Sequence, residues 1–428
     1  MLPIREFLTA ALIEGLCRRC GHRWRERVLG PLVTILACVW KEQQLKSVRQ
    51  TEDWLATFAP HSGSPNRDGH DFCDARARLP VSVFSKCMQY AGEIASKSGR
   101  SIYKGLRICL VDGTTLMTPR SKANLHAFGT SRNQYSVSAL PLMRIVMLFC
   151  AGSGAVLDMA FGPYCVGEMR LFLLMLRRFR PGDLVIGDSL YGSYLAMGLL
   201  QKNHCHGLFF IHHSRRDNRV ETLGLNDEIH LWRKPYAKNA TTPALLALVP
   251  DTLTVRIIRR TIHRQGYRDI TIVLCTTLLD PFEYPADELV ELYARRWNVE
   301  IDIRVLKRDH SLWRLTTQTP QTVVREMYSG VLAYNCTRAL IAQASGGDSG
   351  QISYSRALSF IVEYCAKMSS ASTIHLPQLF MDLLLLISQS IVSDQDRPPE
   401  PRMLVVNPVR FPYLKVTRDE WRRRVLSA

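Results

Sequence analysis

The sequence predicts an α/β fold with helical regions at both ends of the chain. Three observations lead to this prediction. Residues 1 to about 100 show apolar positions at helical spacing, short apolar runs with strand character begin at 106, and a β-rich block covers 206–283. At 428 residues the chain is long enough for two or three domains. We divide it at 1–100, 101–205, 206–283, 284–345 and 346–428.

The composition is that of a globular protein with an unusual charge. There are 55 Lys and Arg residues against 38 Asp and Glu, which gives a net charge of +17. Such an excess indicates a polyanionic partner, with nucleic acid first and an anionic membrane surface second. Arg5 and Glu6 interrupt the stretch where a signal peptide would be apolar, and no apolar run reaches transmembrane length. We therefore expect a cytoplasmic protein that does not act in a membrane.

The first hundred residues are predicted to be helical and basic. Helices are expected over 28–45 and 81–94, with a loop over 61–71, and arginines are frequent between 18 and 78. This region is either a DNA-gripping domain or a helical cap on the core, and the two interpretations are compatible. Cys17, Cys20 and His22 have the spacing of half a zinc site, but the sequence shows no second ligand pair. The twelve cysteines lie mostly in apolar runs, which is typical of reduced, buried thiols.

Two predicted strands each deliver an aspartate. The apolar run 106–111 ends in Asp112 and the run 184–187 ends in Asp188. Further strands are expected over 141–150 and 155–161, and a helix over 166–178 with Glu168 in its first turn. Carboxylates at strand ends lie at the rim of a sheet, where open α/β sheets keep their sites. Each aspartate also has an ordinary alternative, since Asp112 precedes a glycine as turn residues do and Asp188 could cap a helix.

The block 206–283 is predicted to be a β-rich insertion. Strands are expected over 208–212, 244–249, 254–262 and 270–276. The third of these carries several arginines, among them Arg256 and Arg260. One side of such a strand could follow a phosphate backbone, so both are candidate DNA contacts.

A continuous helix is predicted over 286–308, and one of its faces is charged. The residues on this face are Tyr293, Arg296, Glu300, Arg304 and Lys307. One interpretation is a solvated face with ion pairs between residues four apart. The other is a metal-binding carboxylate among cations that hold phosphates. Further helices are expected over 323–343, 354–367 and 376–391, and the chain end is basic.

The second interpretation needs more carboxylates, and Asp112 and Asp188 can supply them. Three converging carboxylates can hold two Mg²⁺ ions through oxygen ligands. Two such ions can activate a nucleophilic oxygen and stabilise the leaving oxygen during phosphoryl transfer.

Three motifs resemble the DDE transposases of bacterial insertion sequences. They are VDGTTL at 111–116, GDSLYGSY at 187–194 and the spacing Tyr293-x2-Arg296-x3-Glu300-x6-Lys307. More narrowly, the chain resembles the insertion-sequence-four family, which carries a Y-R-E-K signature. The resemblance covers 106–345 well, including NLHAFG at 124–129 and VLAYN at 331–335, and is weaker at both ends of the chain.

The resemblance implies a ribonuclease H-like core of helices and a mixed sheet, of α+β type, interrupted by a β-rich insertion. It implies Asp112, Asp188 and Glu300 as ligands of two Mg²⁺ ions, with Mn²⁺ as a substitute, and Tyr293, Arg296 and Lys307 as contacts to the transposon-end strand. The activity it implies is cleavage at the terminal inverted repeats and joining of the 3′-hydroxyl to target DNA. It also implies a homodimer that holds two ends and a bacterial, nucleoid-associated location. Arg304 shares the helix face but lies outside the signature.

Some relatives cleave through a DNA hairpin, in which a flipped base stacks on a tryptophan. Trp232 and Trp297 are the candidates here, and for each the alternative is a tryptophan of the core. Two other functions remain open beside transposition. One is a metal-dependent nuclease that cuts DNA without joining it, and the other is a DNA-binding protein without catalytic activity.

Overall fold

A computed structural model describes most of the chain. The described residues are 3–25, 28–57, 70–97, 102–131, 140–211, 218–236, 242–262, 270–310, 312, 315–346, 352–392, 423, 424 and 427. The chain divides into two compact units, residues 1–260 with 271–392, and residues 261–270 with 393–428. Nearly all of the described residues lie in the first unit.

The described part of the N-terminal region is helical. Its helices are a 3-10 helix at Pro3–Glu6 and α1 (Ala10–Arg19), α2 (Pro31–Gln43), α3 (Val48–Ala56), α4 (His70–Arg78) and α5 (Val81–Ala95). Local capping explains where two of them begin. The Thr9 side chain accepts from the Leu12 N–H at the start of α1, and Ser47 and Gln50 form a reciprocal capping box at the start of α3. Residues 61–69 of the predicted loop lie outside the described residues, and residues 70 and 71 belong to α4.

One mixed sheet runs through the centre of the fold. Its strands are β1 (Ile102–Tyr103), β2 (Leu106–Met117), β3 (Leu142–Cys150), β4 (Val156–Pro163), β5 (Asp183–Gly187), β6 (His206–Phe210), β7 (Asn218–Gly224), β8 (Asp227–Arg233), β9 (Thr252–Ile262) and β10 (Ile270–Thr276). The strand order is β4-β3-β2-β5-β6-β10-β9-β8-β7, and β1 pairs with β2. Strand β3 is antiparallel to both β2 and β4, whereas β5 pairs in parallel with β2 and β6 pairs in parallel with β5. The predicted α/β class with a mixed sheet is confirmed, and this arrangement is consistent with a ribonuclease H-like core.

The remaining described helices pack around this sheet. They are α6 (Lys122–Phe128), α7 (Glu168–Leu174), α8 (Tyr194–Lys202), α9 (Thr242–Leu246), α10 (Ala286–Ala294), α11 (Trp297–Asp309), α12 (Pro320–Ala344), α13 (Tyr354–Ser370) and α14 (Leu376–Ser388), with 3-10 turns at Leu176–Arg178 and Thr373–His375. Helix α12 is buried along most of its length and packs against α2, α5, α13 and α14. None of the helices in the described ranges is long and apolar enough to span a membrane.

Four details of the secondary structure differ from the prediction. Strand β2 continues through Asp112 to Met117, because the Thr-Thr-Leu that follows pairs with β3. The run 244–249 overlaps helix α9, since a short apolar run cannot distinguish strand from helix. The β7–β8 hairpin was not predicted. The single helix expected over 286–308 is two helices, because Arg295 and Arg296 close tight turns onto the carbonyls of Leu292 and Tyr293 before α11 begins.

The β-rich block is continuous with the core sheet. Strand β6 pairs in parallel with β5, placing Leu184 opposite His206, and β10 pairs antiparallel with β6. The predicted division at 205/206 therefore separates two strands that are hydrogen-bonded neighbours.

A buried polar network joins α11 to α12. The Asp302 carboxylate accepts a short hydrogen bond from the Arg338 guanidinium, and Arg338 Nε donates to the Tyr334 hydroxyl at 2.9 Å. That hydroxyl lies 2.7 Å from the Gly154 carbonyl oxygen and 3.0 Å from Asp302 Oδ1. The network fixes the inner face of α11 within the fold.

Candidate active site

The pairing of β2 with β5 brings the two predicted aspartates together. Leu110 lies opposite Ile186 in this parallel register, so two steps further along each chain lead to Asp112 and Asp188. Asp112 Oδ1 accepts from the Gly113 N–H at 2.8 Å, and Asp188 Oδ1 accepts from the Leu190 N–H at 2.9 Å. Asp188 therefore does not cap α8, which is capped by Ser193.

Glu300 approaches the aspartates from the first turn of α11. Its side chain is 41% exposed, and its Oε1 lies 3.3 Å from Arg296 Nη2. Further along α11, Lys307 Nζ donates to Thr114 Oγ1 at 2.6 Å, two residues after Asp112 on β2. This hydrogen bond holds α11 against the strand that carries the first aspartate.

The electrostatics show that the three carboxylates are neighbours. The pKa of Asp112 is raised to about 6, mainly by burial and also by the charges of Asp188 and Glu300, while the Gly113 N–H and Arg296 oppose the rise. Like charges brought this close repel one another unless a cation compensates them.

The set of donor atoms suits a hard divalent cation, but the side chains are not assembled around one. Asp112, Asp188 and Glu300 offer only oxygen, which Mg²⁺ prefers. Among the residues with described positions, no group of three or more His, Cys, Asp or Glu side chains is arranged to hold a metal ion. The side chains would thus have to move before the three carboxylates could coordinate one ion together.

The same finding bears on the half zinc site predicted from the N-terminal region. Cys17, Cys20 and His22 form no such group within the described positions. Cys17 is buried, and burial raises the pKa of its thiol to about 11, which disfavours the thiolate that zinc requires. The structure therefore does not support a metal centre there, and all twelve cysteines are free.

The signature residues around Glu300 form a cationic and aromatic group. The Arg296 guanidinium lies 6.0 Å from the Tyr293 ring and 5.4 Å from the Trp297 ring. Arg296 Nε is buried and has no hydrogen-bond partner within the described structure. Burial raises the pKa of the Tyr293 hydroxyl, and burial lowers the pKa of the Lys307 ammonium. A buried, unsatisfied guanidinium nitrogen beside a carboxylate site is suited to an anionic ligand.

The two candidate tryptophans have different environments. Trp232 is 3% exposed and belongs to the apolar core, as the alternative interpretation held. Trp297 is 61% exposed beside Arg296, so for this residue the core interpretation is wrong.

The three remaining candidate DNA contacts also separate. Arg256 is fully buried and makes two hydrogen bonds to the Asp227 carboxylate, at 2.7 and 2.6 Å, so its prediction as a DNA contact is wrong. Strand β9 turns this side chain inward because Asp227 compensates its charge there. Arg260 binds Asp287 at 2.8 Å near the surface, and Arg304 is exposed on α11. The structure leaves these last two predictions as they were.

Three residues near the site were not predicted to belong to it. Glu168 lies so close to β2 that a Cβ atom on Gly113 would be 2.2 Å from its Oε2. Tyr191 is fully buried between these carboxylates, and Arg144 Nε lies 4.0 Å from Glu168 Oε1. The sequence contained a signal for two of them. Glu168 begins a predicted helix between the two aspartate strands, and Tyr191 belongs to the GDSLYGSY motif.

Comparison with known proteins connects this geometry to a family. A family model described as transposase DDE domain matches residues 103–336. The chain is 23% identical over 320 residues to "Transposase InsG for insertion sequence element IS4" of Escherichia coli (strain K12), a match that covers 72% of this chain and 70% of the relative. A cryo-EM structure of a piggyBac transposase synaptic complex with hairpin DNA aligns over 93% of this chain and 87% of that chain, with 11% identity and a TM-score of 0.40.

Proposed function

Because the chain belongs to the transposase DDE domain family, we propose that it cleaves DNA at the ends of an insertion sequence and joins the freed 3′-hydroxyl to target DNA. One observation carries this proposal. The β2–β5 register and helix α11 bring Asp112, Asp188 and Glu300 near one another, with the cations Arg296 and Lys307 on the same helix as Glu300 or immediately before it. Carboxylates and cations in one cleft are what metal-assisted phosphoryl transfer requires.

The three carboxylates would hold two Mg²⁺ ions, for which Mn²⁺ could substitute. When bound, such ions activate the attacking oxygen and stabilise the leaving oxygen of an in-line displacement. The protein contributes the position of the carboxylates. Asp112 and Asp188 are each oriented by a backbone N–H group, and Glu300 is fixed by α11.

The cations beside Glu300 would hold the DNA strand. Arg296 has an unsatisfied Nε that can bind a phosphate oxygen, and Lys307 offers an ammonium near Asp112. Trp297 lies beside Arg296 and is exposed, so an unpaired base could stack on its ring. Arg304, exposed on α11, and Arg260, which pairs with Asp287, would be further contacts to the DNA.

The protein would act on double-stranded DNA, taking the terminal inverted repeats as donor and a second duplex as target. Two ends must be processed together, which a homodimer would accomplish by holding one end in each copy. The net charge of +17 is suited to such a polyanionic partner. A nuclease that cuts without joining is the second candidate, since its carboxylate site would look the same.

A cleavage and joining assay tests the proposal. Purified protein is incubated with Mg²⁺ and duplex DNA carrying the terminal inverted repeats, and both cut ends and joined products are measured. Asp188→Ala is expected to lower both products by at least about 10³-fold, because removing a metal ligand removes several kcal/mol of transition-state stabilisation. Asp251→Ala, which changes an exposed aspartate outside the site, serves as the matched control.

The outcomes separate the candidates. Cut ends without joined products would favour the nuclease, and binding without either product would favour a protein that lacks catalytic activity. An Asp188→Ala variant as active as the wild type would overturn the assignment of the site.

A further inference from the structure

Glu168 lies against the backbone of the residue that follows Asp112. It is the first residue of α7, which follows β4 after a short turn. Built on Gly113, a Cβ atom would lie 2.2 Å from Glu168 Oε2 and 2.5 Å from Glu168 Cδ. Real Cβ atoms do not approach other atoms this closely, so the glycine leaves room for this carboxylate. Without a side chain at 113, the Glu168 carboxylate lies against β2 at the residue that follows Asp112.

Tyr191 provides a second, independent observation. Its side chain is fully buried, and its hydroxyl has no hydrogen-bond partner within the described structure. The ring is held against Phe172 of α7, with 5.2 Å between the centroids. Burial and the charges of Glu168, Asp112 and Asp188 raise the pKa of this hydroxyl. A buried hydroxyl without a partner among the described residues, within electrostatic range of three carboxylates, is available as a donor to the site.

Arg144 does not neutralise Glu168 at close range. Arg144 Nε lies 4.0 Å from Glu168 Oε1 and has no hydrogen-bond partner within the described structure. The shorter contacts of the Arg144 guanidinium are with other groups. Its Nη1 donates to the Val166 carbonyl oxygen at 3.0 Å, and its Cζ lies 4.7 Å from the centre of the Tyr164 ring. The Glu168 carboxylate therefore has only a long ion pair with Arg144, at 4.0 Å.

We propose that Glu168 is a fourth carboxylate of the active site, which binds a divalent cation together with Asp112 and Asp188. The proposal rests on the proposed function for the existence of a cation site. In this arrangement the Tyr191 hydroxyl donates to one of the carboxylates or to a water molecule held by the cation. Gly113 is required because any side chain there would displace Glu168 from Asp112.

A structural role for Glu168 makes a different prediction. An acidic residue in the first turn of a helix stabilises that helix through its dipole, by about 0.3–1 kcal/mol. Such a role would change the melting temperature and leave the affinity for a cation unchanged. Cation affinity is therefore the measurement that separates the two roles.

The test measures Mn²⁺ binding to the full chain without DNA, by isothermal titration calorimetry. The variants are Glu168→Gln, which keeps the shape and removes the charge, Gly113→Ala, and Asp188→Asn. Glu221→Gln, an exposed glutamate on β7, is the matched control. Glu168→Gln and Gly113→Ala are expected to weaken Mn²⁺ binding by at least about tenfold, as substitutions around metal ligands do. Thermal melting without Mn²⁺ verifies that each variant is folded.

The result with Asp188→Asn keeps the inference and the proposed function distinguishable. If Asp188→Asn weakens Mn²⁺ binding and neither Glu168→Gln nor Gly113→Ala does, the role of Glu168 is overturned while the cation site stands. If Glu168→Gln weakens binding and Asp188→Asn does not, the two carboxylates do not share a cation, which also overturns the inference. If no variant weakens binding, both the inference and the cation site of the proposed function fail. Weakening by Glu168→Gln, Gly113→Ala and Asp188→Asn together, with Glu221→Gln unchanged, supports the assignment.

Discussion

Two carboxylates on helix α11, Glu300 and Asp302, stand only two residues apart and have opposite environments. The Glu300 side chain is 41% exposed, and it pairs with Arg296 at 3.3 Å. Its charge also raises the pKa of Asp112, a carboxylate of the same site. The Asp302 side chain is 6% exposed and is compensated by the buried guanidinium of Arg338. A carboxylate that the protein neutralises itself belongs to the fold, whereas one left incompletely paired is available to a ligand.

The arginines show the same division. Arg256 is buried and uses its guanidinium on Asp227 and on backbone carbonyl oxygens, so it is part of the framework. Arg296 keeps a buried nitrogen without a partner among the described residues, next to the carboxylate site. Charge alone therefore does not identify a functional residue in this protein. What distinguishes Arg296 is that the fold does not use all of its donors.

The largest expected effect comes from Glu300→Gln. The change keeps the shape of the side chain and removes a proposed metal ligand, so DNA cleavage and joining should fall by at least about 10³-fold. The free energy of unfolding should change by less than about 0.5 kcal/mol, because the pair with Arg296 is partly exposed. The assay is end cleavage with Mg²⁺, with chemical denaturation in parallel. A variant that lost stability and activity together would place Glu300 in the framework and break the comparison.

The next effect is expected from Asp302→Ala. Removing this partner leaves Arg338 buried with an uncompensated charge, which should lower the free energy of unfolding by about 3–5 kcal/mol. Urea denaturation monitored by circular dichroism measures the loss. The control is the double variant Asp302→Leu with Arg338→Met, which removes both charges and should recover part of the stability. A stable Asp302→Ala variant without cleavage activity would contradict this role.

A pH dependence is expected from His310, the residue that follows the last residue of α11. This ring is fully buried and hydrogen-bonds through Nε2 to the Tyr354 hydroxyl, and burial lowers the pKa of His310 to about 3. The unfolded chain, whose histidine pKa is about 6.5, then binds more protons than the folded chain between these two values. The contribution of His310 to stability is therefore present above about pH 6.5 and is lost as the pH falls, by up to about 1.4 kcal/mol per unit.

Chemical denaturation between pH 7 and pH 5 measures this effect. His310→Gln carries no titrating ring, so it should lack the part of the slope that arises from His310, whatever its stability at pH 7. An identical slope in wild type and variant would show that the buried network does not create this dependence.

The smallest effect is expected from Arg304→Ala. Arg304 is exposed on α11, and an exposed charge contributes about 0–1 kcal/mol to a contact, so affinity for transposon-end DNA should fall by less than about fivefold. Lys307→Ala is the comparison, because Lys307 is half-buried beside β2 and should cost more. Fluorescence anisotropy at two salt concentrations measures both. If Arg304→Ala weakened binding as much as Lys307→Ala, exposure would not separate the two cations.

Much of the fold could be predicted from the sequence, because the relevant signals are local. The helix at α5 and the strand that ends before Asp188 follow from short-range periodicity, whereas the mixed sheet was expected from the resemblance to the family. The break between α10 and α11 was missed because apolar residues continue at helical spacing across it. The hairpin of β7 and β8 was missed because its alternation is too polar to resemble a buried strand.

The sequence by itself determined which residues are candidates for the chemistry, since Asp112, Asp188, Glu300 and the Y-R-E-K spacing are visible without any structure. Only the tertiary structure decided how they meet. The β2–β5 register brings Asp112 toward Asp188, the fold buries Arg256 on Asp227, and Gly113 admits Glu168. These outcomes depend on contacts between residues far apart in the chain. A local sequence pattern shows which charged side chains are present. It does not show which of them are neutralised by a partner that is distant in the chain.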